Sequence, residues 1–243
     1  MDNFNNILNS LNELTKSYSV FVPSLNKEIK INGFTAKQQK EAIQCVMDKD
    51  FAGISFAILV SEMLLNNLVE KTPILLSDKN YVLVCLRALS LSSQYKNLNG
   101  ETIDLSAILN NKTPLPDNLK AETITDGDIT ITIENPTLQT DIFINSETKK
   151  KLLSINPNQT LSRESLGDLY IDEILKYIKH IKTPKAEIKS DELTFNQKYQ
   201  IVEKLPLSAT TKIVSFINNI KDFEKSLLLP EKEINIDPTL FTV

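Results

Sequence analysis

Glu122-Thr-Ile-Thr125 and Asp128-Ile-Thr-Ile-Thr-Ile133 flank Asp126-Gly127, and no other stretch leaves the backbone so few choices. Alternating Ile and Thr send their side chains to opposite faces of an extended chain, and Asp-Gly accepts the positive φ angles of a tight turn. The pattern predicts an antiparallel hairpin closed by a type I′ turn at Asp126-Gly127. Ile129, Ile131 and Ile133 line one face and Thr130 and Thr132 the other, so one side of the ribbon has to be covered. A short strand at residues 142–144 is expected to extend it.

The cover has to come from the flanks, and both read as helical. Upstream, Phe4, Ile7, Leu8, Leu11 and Leu14 recur at helical spacing. Such a stripe either packs on its own domain or docks on a neighbouring protein. Residues 19–31 are strand-like, with alternation around Ile29 and Ile31, and Asn32-Gly33 breaks them. Thr35 is placed to cap a helix running to about Met47, whose Lys37, Gln38, Lys40 and Glu41 face water. Residues 51–69 predict a strongly apolar helix at the centre of a core. Ser77 is expected to cap the next helix, with Val82, Cys85, Leu86 and Leu89 as its stripe. Arg87 falls off that stripe and reads either as a solvated residue or as one paired with a carboxylate at a contact surface.

Residues 94–118 are rich in turn formers, including Asn99-Gly100 and Pro114-Leu115-Pro116, with order expected only at 101–109. Downstream, a helix starts at Ser162 or Ser165, with Ser165-Leu-Gly-Asp168 spaced as a capping box, and Leu166, Tyr170, Ile174, Ile178 and Ile181 predict one helix to about Lys182. A polar linker at 183–190 follows, then helices from Thr194 to about Lys204 and from Ser208 to about Phe223. The closing Leu240-Phe241 makes a docked C-terminal segment the expectation. The fold class is α+β, mainly helical with a small antiparallel hairpin sheet in the middle. Residues 1–95, 96–145 and 146–243 form three successive regions that pack as one domain or two.

Chemistry is sparse. The net charge is −4 over 243 residues, and of 27 basic residues only Arg87 and Arg163 are arginine, so phosphate recognition has little support. Five glycines, at 33, 53, 100, 127 and 167, are too scattered for a phosphate-cradling loop. His180 is the only histidine and reads as a structural surface residue. Cys45 and Cys85 lie in helical patterns and are expected to be reduced core thiols, too few for a zinc site or a disulfide framework. No serine sits in a nucleophile elbow, and Asp172-Glu173 and the carboxylates at 231 and 233 read as solvated faces. The first residues lack the basic flank and apolar run of a signal peptide. Residues 51–69 come closest to a membrane span, but Ser55, Ser61, Glu62, Asn66 and Asn67 interrupt them. The expectation is a non-enzymatic protein made and kept in a cytoplasm, with no catalytic residues, cofactor or metal. Nucleic acid, membrane and small-molecule substrate are not expected among its partners.

Three stretches add a resemblance: FVPSLNKEIKI through LVCLRALS, the strand from Ile129 that ends in Asn135-Pro136-Thr137-Leu138, and YIDEILKYIKHI with the helix near Phe216 and the closing Leu240-Phe241. In this order they resemble the baseplate hub proteins of contractile-tailed bacteriophages. The resemblance implies a hub subunit or hub assembly protein in the virion tail baseplate, made in the host cytoplasm and bound to other tail or baseplate proteins. The alternative it leaves open is a transient assembly chaperone absent from the mature virion. Some members of that family carry a cysteine pair suited to metal; neither the Asn99-Gly100 region nor the tail has one here, so no metal subsite carries over. The candidate contact residues are Phe4, Ile7, Leu11 and Leu14 of the first stripe, Phe21 and Ile29 of the strand region, Arg87, and Leu240 and Phe241 of the tail.

Overall fold

The computed structural model describes residues 16–45, 52–155, 163–229, 231–232 and 234–241, together with Ile7 and Ser10. Phe4, Leu11 and Leu14 lie outside the described residues. The Ile/Thr segment forms the expected hairpin: β5 (Ala121–Asp126) pairs antiparallel with β6 (Ile129–Glu134), Ile124 opposite Ile131. Its turn differs in type. Asp126 pairs with Ile129, so the two turn residues are Gly127 and Asp128, and of these only Gly127 has a positive φ, at 58°. A positive φ confined to a first-position glycine is the requirement of a type II′ turn, not type I′. Asp126 stays in the strand, where its carboxylate accepts hydrogen bonds from the Ser208 hydroxyl and from Lys212 Nζ.

The ribbon is extended by segments that the spacing assigned elsewhere. β7 (Ile178–Lys182) pairs with β6, and β8 (Glu187–Lys189) with β7, giving an antiparallel sheet in the order β5-β6-β7-β8. The predicted helix to Lys182 therefore stops at Tyr177. Ile178 and Ile181, three residues apart, fit a helical stripe and would fall on opposite faces of a regular strand; pairing with the open edge of β6 makes the strand, and the register shift between Thr132 and Ile133 lets both be buried. The supposed linker at 183–190 holds the β7–β8 turn, closed by hydrogen bonds between Thr183 and Ala186. His180 lies within this pair, its Nε2 3.0 Å from Glu187 Oε1. Residues 142–144 are helical, because Pro136 ends β6 and Thr137 caps a new helix by accepting the Thr140 N–H at 3.2 Å.

Two smaller hairpins precede this sheet. β1 (Ser17–Val22) and β2 (Lys27–Asn32) are joined through a 3₁₀ turn and Asn26 in the left-handed region, and β3 (Gln94–Lys96) pairs with β4 (Thr102–Asp104). The helices, in order, are α1 (Ala36–Gln44), α2 (Ala52–Asn67), α3 (Lys79–Ser90), α4 (Ser106–Leu109), α5 (Leu138–Ile155), α6 (Arg163–Tyr177), α7 (Phe195–Lys204) and α8 (Leu207–Leu227). Thr35 caps α1 and Thr194 caps α7, each in a reciprocal box with a glutamine three residues on. Ser77 does not cap α3. It lies in a 3₁₀ turn and accepts a hydrogen bond from Asn135 Nδ2 at 2.7 Å.

Two hydrophobic cores result. The first gathers β1, β2, α2, α3 and the tail residues Leu240 and Phe241; the second gathers one face of the four-stranded sheet with α6, α7 and α8. Leu76 and Phe223 pack against both, so α8 runs along the pair. The most enclosed helix is α3, buried at every residue from 81 to 87, whereas α2 buries chiefly Phe56, Val60, Met63 and Leu64. Each fully buried Leu or Ile of this kind contributes about 1.5–3 kcal/mol.

Gly127→Ala is expected to destabilise the chain by about 1–2 kcal/mol in urea unfolding, the cost of a left-handed β-carbon, since an added Cβ meets nothing within 4 Å. Gly127→Asn should recover part of that loss, and equal costs for Ala and Asn would refute the turn assignment.

Candidate functional site

Asp141 stands in the first turn of α5 and is 1% exposed. A helix N-terminus favours a carboxylate, but desolvation costs several kcal/mol unless the charge is paired. Lys79 Nζ meets its Oδ2 at 2.8 Å and Lys176 Nζ its Oδ1 at 2.9 Å. The Ser61 hydroxyl and Asn145 Nδ2 donate at 3.0 and 2.9 Å. Lys176 also reaches Glu173 at 3.1 Å, and Lys221 reaches the other oxygen of Glu173 at 3.0 Å. One chain of charge, Lys79–Asp141–Lys176–Glu173–Lys221, thus links α3, α5, α6 and α8, with α2 joined through Ser61.

Burial pushes the Asp141 carboxyl up, but Lys79 and Lys176 outweigh it and hold the group below the usual carboxylate range. Glu173 is likewise held low against burial by Lys176 and Lys221. Glu224 of α8 behaves oppositely. Burial, aided by the charges of Glu173 and Asp78, pushes it up to about 8 although Lys79 and Lys221 oppose the shift. It accepts a long hydrogen bond from Asn80 Nδ2 at 3.4 Å. These groups border a cavity of about 260 Å³. Each of its three lysines is engaged by a carboxylate, so the array fixes the spacing of four helices.

A second anchor sits beside it. Asp78, fully buried, accepts hydrogen bonds from the Ser24 N–H at 2.9 Å, the Ser24 hydroxyl and the Leu75 N–H at 3.1 Å. Desolvation, opposed by these bonds, pushes it up to about 6. It ties the β1–β2 turn to the start of α3.

The sequence reading placed Asp172-Glu173 on a solvated face, and the structure corrects it. Asp172 is buried and accepts from the Thr148 hydroxyl at 2.8 Å, while Glu173 belongs to the charge array. α6 packs between α5 and α8, which covers both flanks of the helix. Asp141, the centre of the array, carried no local signal. Its partners, except Asn145, lie 35 to 80 positions away, and only the fold gathers them.

The candidate contact residues are scattered. Ile7 is 59% exposed and Ile29 half-buried against the first core. Phe21, Leu240 and Phe241 lie inside that core, where the chain's own packing covers them. Arg87, expected at a surface, is 2% exposed. Its Nε donates to the Leu240 carbonyl at 3.2 Å, its Nη1 donates to the Ser92 and Gln94 carbonyls, and its guanidinium lies 5.5 Å from the Tyr95 ring. These carbonyls belong to chain leaving the end of α3 and to the tail, so the arginine points into the junction of two segments. A feature missed in the sequence is an apolar groove of about 490 Å³ between the β7–β8 hairpin and α7, lined by Ile129, Ile181, Ile188, Leu193, Ile201 and Leu205. Its residues come from β6, β7, β8 and α7 with its flanks, and β7 and β8 were assigned as helix and linker.

Among the described residues no cluster of His, Cys, Asp and Glu is placed to hold a metal ion, and no helix is long and apolar enough to cross a membrane. A family model described as "T4 bacteriophage base plate protein" matches residues 15–229. No curated protein and no solved structure matches the chain.

Asp141→Ala leaves Lys79 without its carboxylate and Lys176 with Glu173 alone, and is expected to cost about 3–5 kcal/mol in urea unfolding; a loss under about 1 kcal/mol would refute the clamp. The folded-state pKa of Glu224, about 8, lies above its ordinary 4.5. Its contribution to stability is therefore full below pH 4.5 and is lost as pH rises to about 8. Glu224→Gln should remove this loss, so the Tm of the variant relative to the parent should climb across that window and level off above it. A difference that stays flat with pH would exclude the buried, protonated Glu224.

Proposed function

The chain belongs to the T4 bacteriophage base plate protein family, and from that premise we propose that it is a non-enzymatic structural component of the baseplate hub. As a baseplate protein it works in the phage tail in contact with other tail proteins. In this reading it is made in the host cytoplasm, takes no cofactor or small-molecule substrate, and binds neither nucleic acid nor membrane.

One observation carries the reading. The only gathered set of charged groups described above is spent on joining helices, while unpartnered apolar surface lies apart from it, in the groove between the β7–β8 hairpin and α7. Charge clamps the body, and apolar surface is left to bind. A stable contact buries more than about 1,000 Å² in total. The groove accounts for part of such an area, and Ile7 is a further exposed apolar residue.

Mass spectrometry of purified virions, with a tag on the chain located by electron microscopy, tests the assignment. Stoichiometric presence at the centre of the baseplate is the expected result. Presence elsewhere in the baseplate overturns the hub position, and absence from the particle overturns the structural role in favour of a transient assembly chaperone. Ala186 and Gln200 are exposed positions on the rim of the groove. Ala186→Arg with Gln200→Arg should leave the unfolding midpoint nearly unchanged and lower incorporation into baseplates at least about tenfold, equivalent to ~1.4 kcal/mol. Full incorporation would remove the groove from the interface.

A further inference from the structure

Beyond α8 the chain returns over the first core. Leu228, Leu229, Ile234 and Ile236 cover it partly, and Leu240 and Phe241 enter it completely. The entering piece is a 3₁₀ turn, Pro238–Phe241, that holds its own shape. The Asp237 carboxylate accepts the Thr239 N–H at 2.8 Å and the Thr239 hydroxyl, and the Leu240 N–H donates to the Asp237 carbonyl at 3.0 Å. The receiving wall is equally specific. Phe34 and Phe56 meet the Phe241 ring edge-on, with centroids at 5.0 and 6.1 Å. Gln39 Nε2 donates to the Phe241 carbonyl at 2.7 Å, and buried Arg87 donates to that of Leu240.

Two side-chain donors thus read the backbone of the segment while apolar walls take two consecutive side chains. These are the elements of peptide recognition, built here inside one chain. Two observations mark the segment as separable. A cavity of about 490 Å³, lined by Phe56, Val60, Lys79 and Asn80 on one side and Ile236 and Pro238 on the other, runs beside it. The Asn235 Nδ2 is buried without an acceptor, a cost the docked state bears and a released one does not. The family match ends at residue 229, so it does not reach the resemblance placed on Leu240-Phe241.

We propose that the space bounded by α1, α2 and α3 is a binding site for an apolar Leu-Phe pair presented on a 3₁₀ turn. Residues 234–241 occupy it as a strap that the same segment of a second copy can replace. Reciprocal exchange of an identical element is a low-cost route to a dimer. The inference stands independently of the hub assignment.

The test uses the full chain with Leu240→Ala and Phe241→Ala, titrated with a fluorescein-labelled synthetic peptide of residues 231–243. Fluorescence anisotropy should show saturable binding, at least about tenfold tighter than to the parent chain, whose tethered strap competes at roughly millimolar effective concentration. Gln39→Ala in the same background should weaken binding about 2- to 10-fold, the loss of one hydrogen bond. A double variant with native circular dichroism that fails to bind the peptide overturns the proposal. Hydrogen exchange on the parent chain supplies an arm that does not depend on the variant's folding. The Leu240 amide should exchange at least about tenfold faster than those of residues 83–87, through an opening smaller than global unfolding. Equal protection would make the segment an integral part of the core and overturn the strap.

Discussion

The carboxylate of Asp141 is the point on which the described helices depend. Burying one anion is unfavourable, and the structure meets that cost with two ammonium groups, a hydroxyl and an amide from four helices. Each donor reaches it only if α2, α3, α5 and α6 hold their relative positions, so the ion array converts an electrostatic requirement into a geometric one. Lys221 extends the requirement to α8, the helix that runs along both hydrophobic cores. Apolar packing supplies cohesion in each core, but it is non-directional. The charge chain adds direction at the seam between them.

The same logic recurs at Asp78 and Arg87. Each is a buried polar group bound chiefly to main chain: Asp78 takes N–H groups of Ser24 and Leu75 beside the Ser24 hydroxyl, and Arg87 serves carbonyls after α3 and in the tail. Main-chain partners constrain the path of the backbone and leave the neighbouring side chains free to vary. A body held from inside by such bonds leaves the apolar groove beside α7 on its surface.

Much of the local structure was legible in the residues. Thr35 with Gln38 and Thr194 with Gln197 marked two helix starts, and Asp126-Gly127 between Ile/Thr alternations marked the hairpin. These signals succeed because a cap or a tight turn is satisfied within four residues. Ile178 to Lys182 failed for the converse reason: its spacing reads as helix, and the strand rests on irregular pairing with β6, some 50 residues earlier. Arg87 and Asp172 failed in a related way. A polar residue off a helical stripe is exposed only where its helix has an open side; α3 is buried at every residue from 81 to 87, and α6 is covered at Asp172 although Tyr170 on the same helix is 50% exposed. The contact candidates Phe21, Leu240 and Phe241 were recognised as apolar, but whether such a residue faces a partner or its own core depends on what folds over it.

By itself, then, the sequence determined the elements whose hydrogen bonds close locally: the caps, the central turn, the apolar helices and a mainly helical α+β class. Only the tertiary structure decided the pairing of β7 and β8 with the hairpin, the gathering of Lys79, Asp141, Lys176, Glu173 and Lys221 into one array, and the return of the tail to Phe34 and Gln39. All three join residues far apart in the chain. Their free energy comes from burial and desolvation, which are properties of the assembled interior and leave no mark on any short stretch of residues.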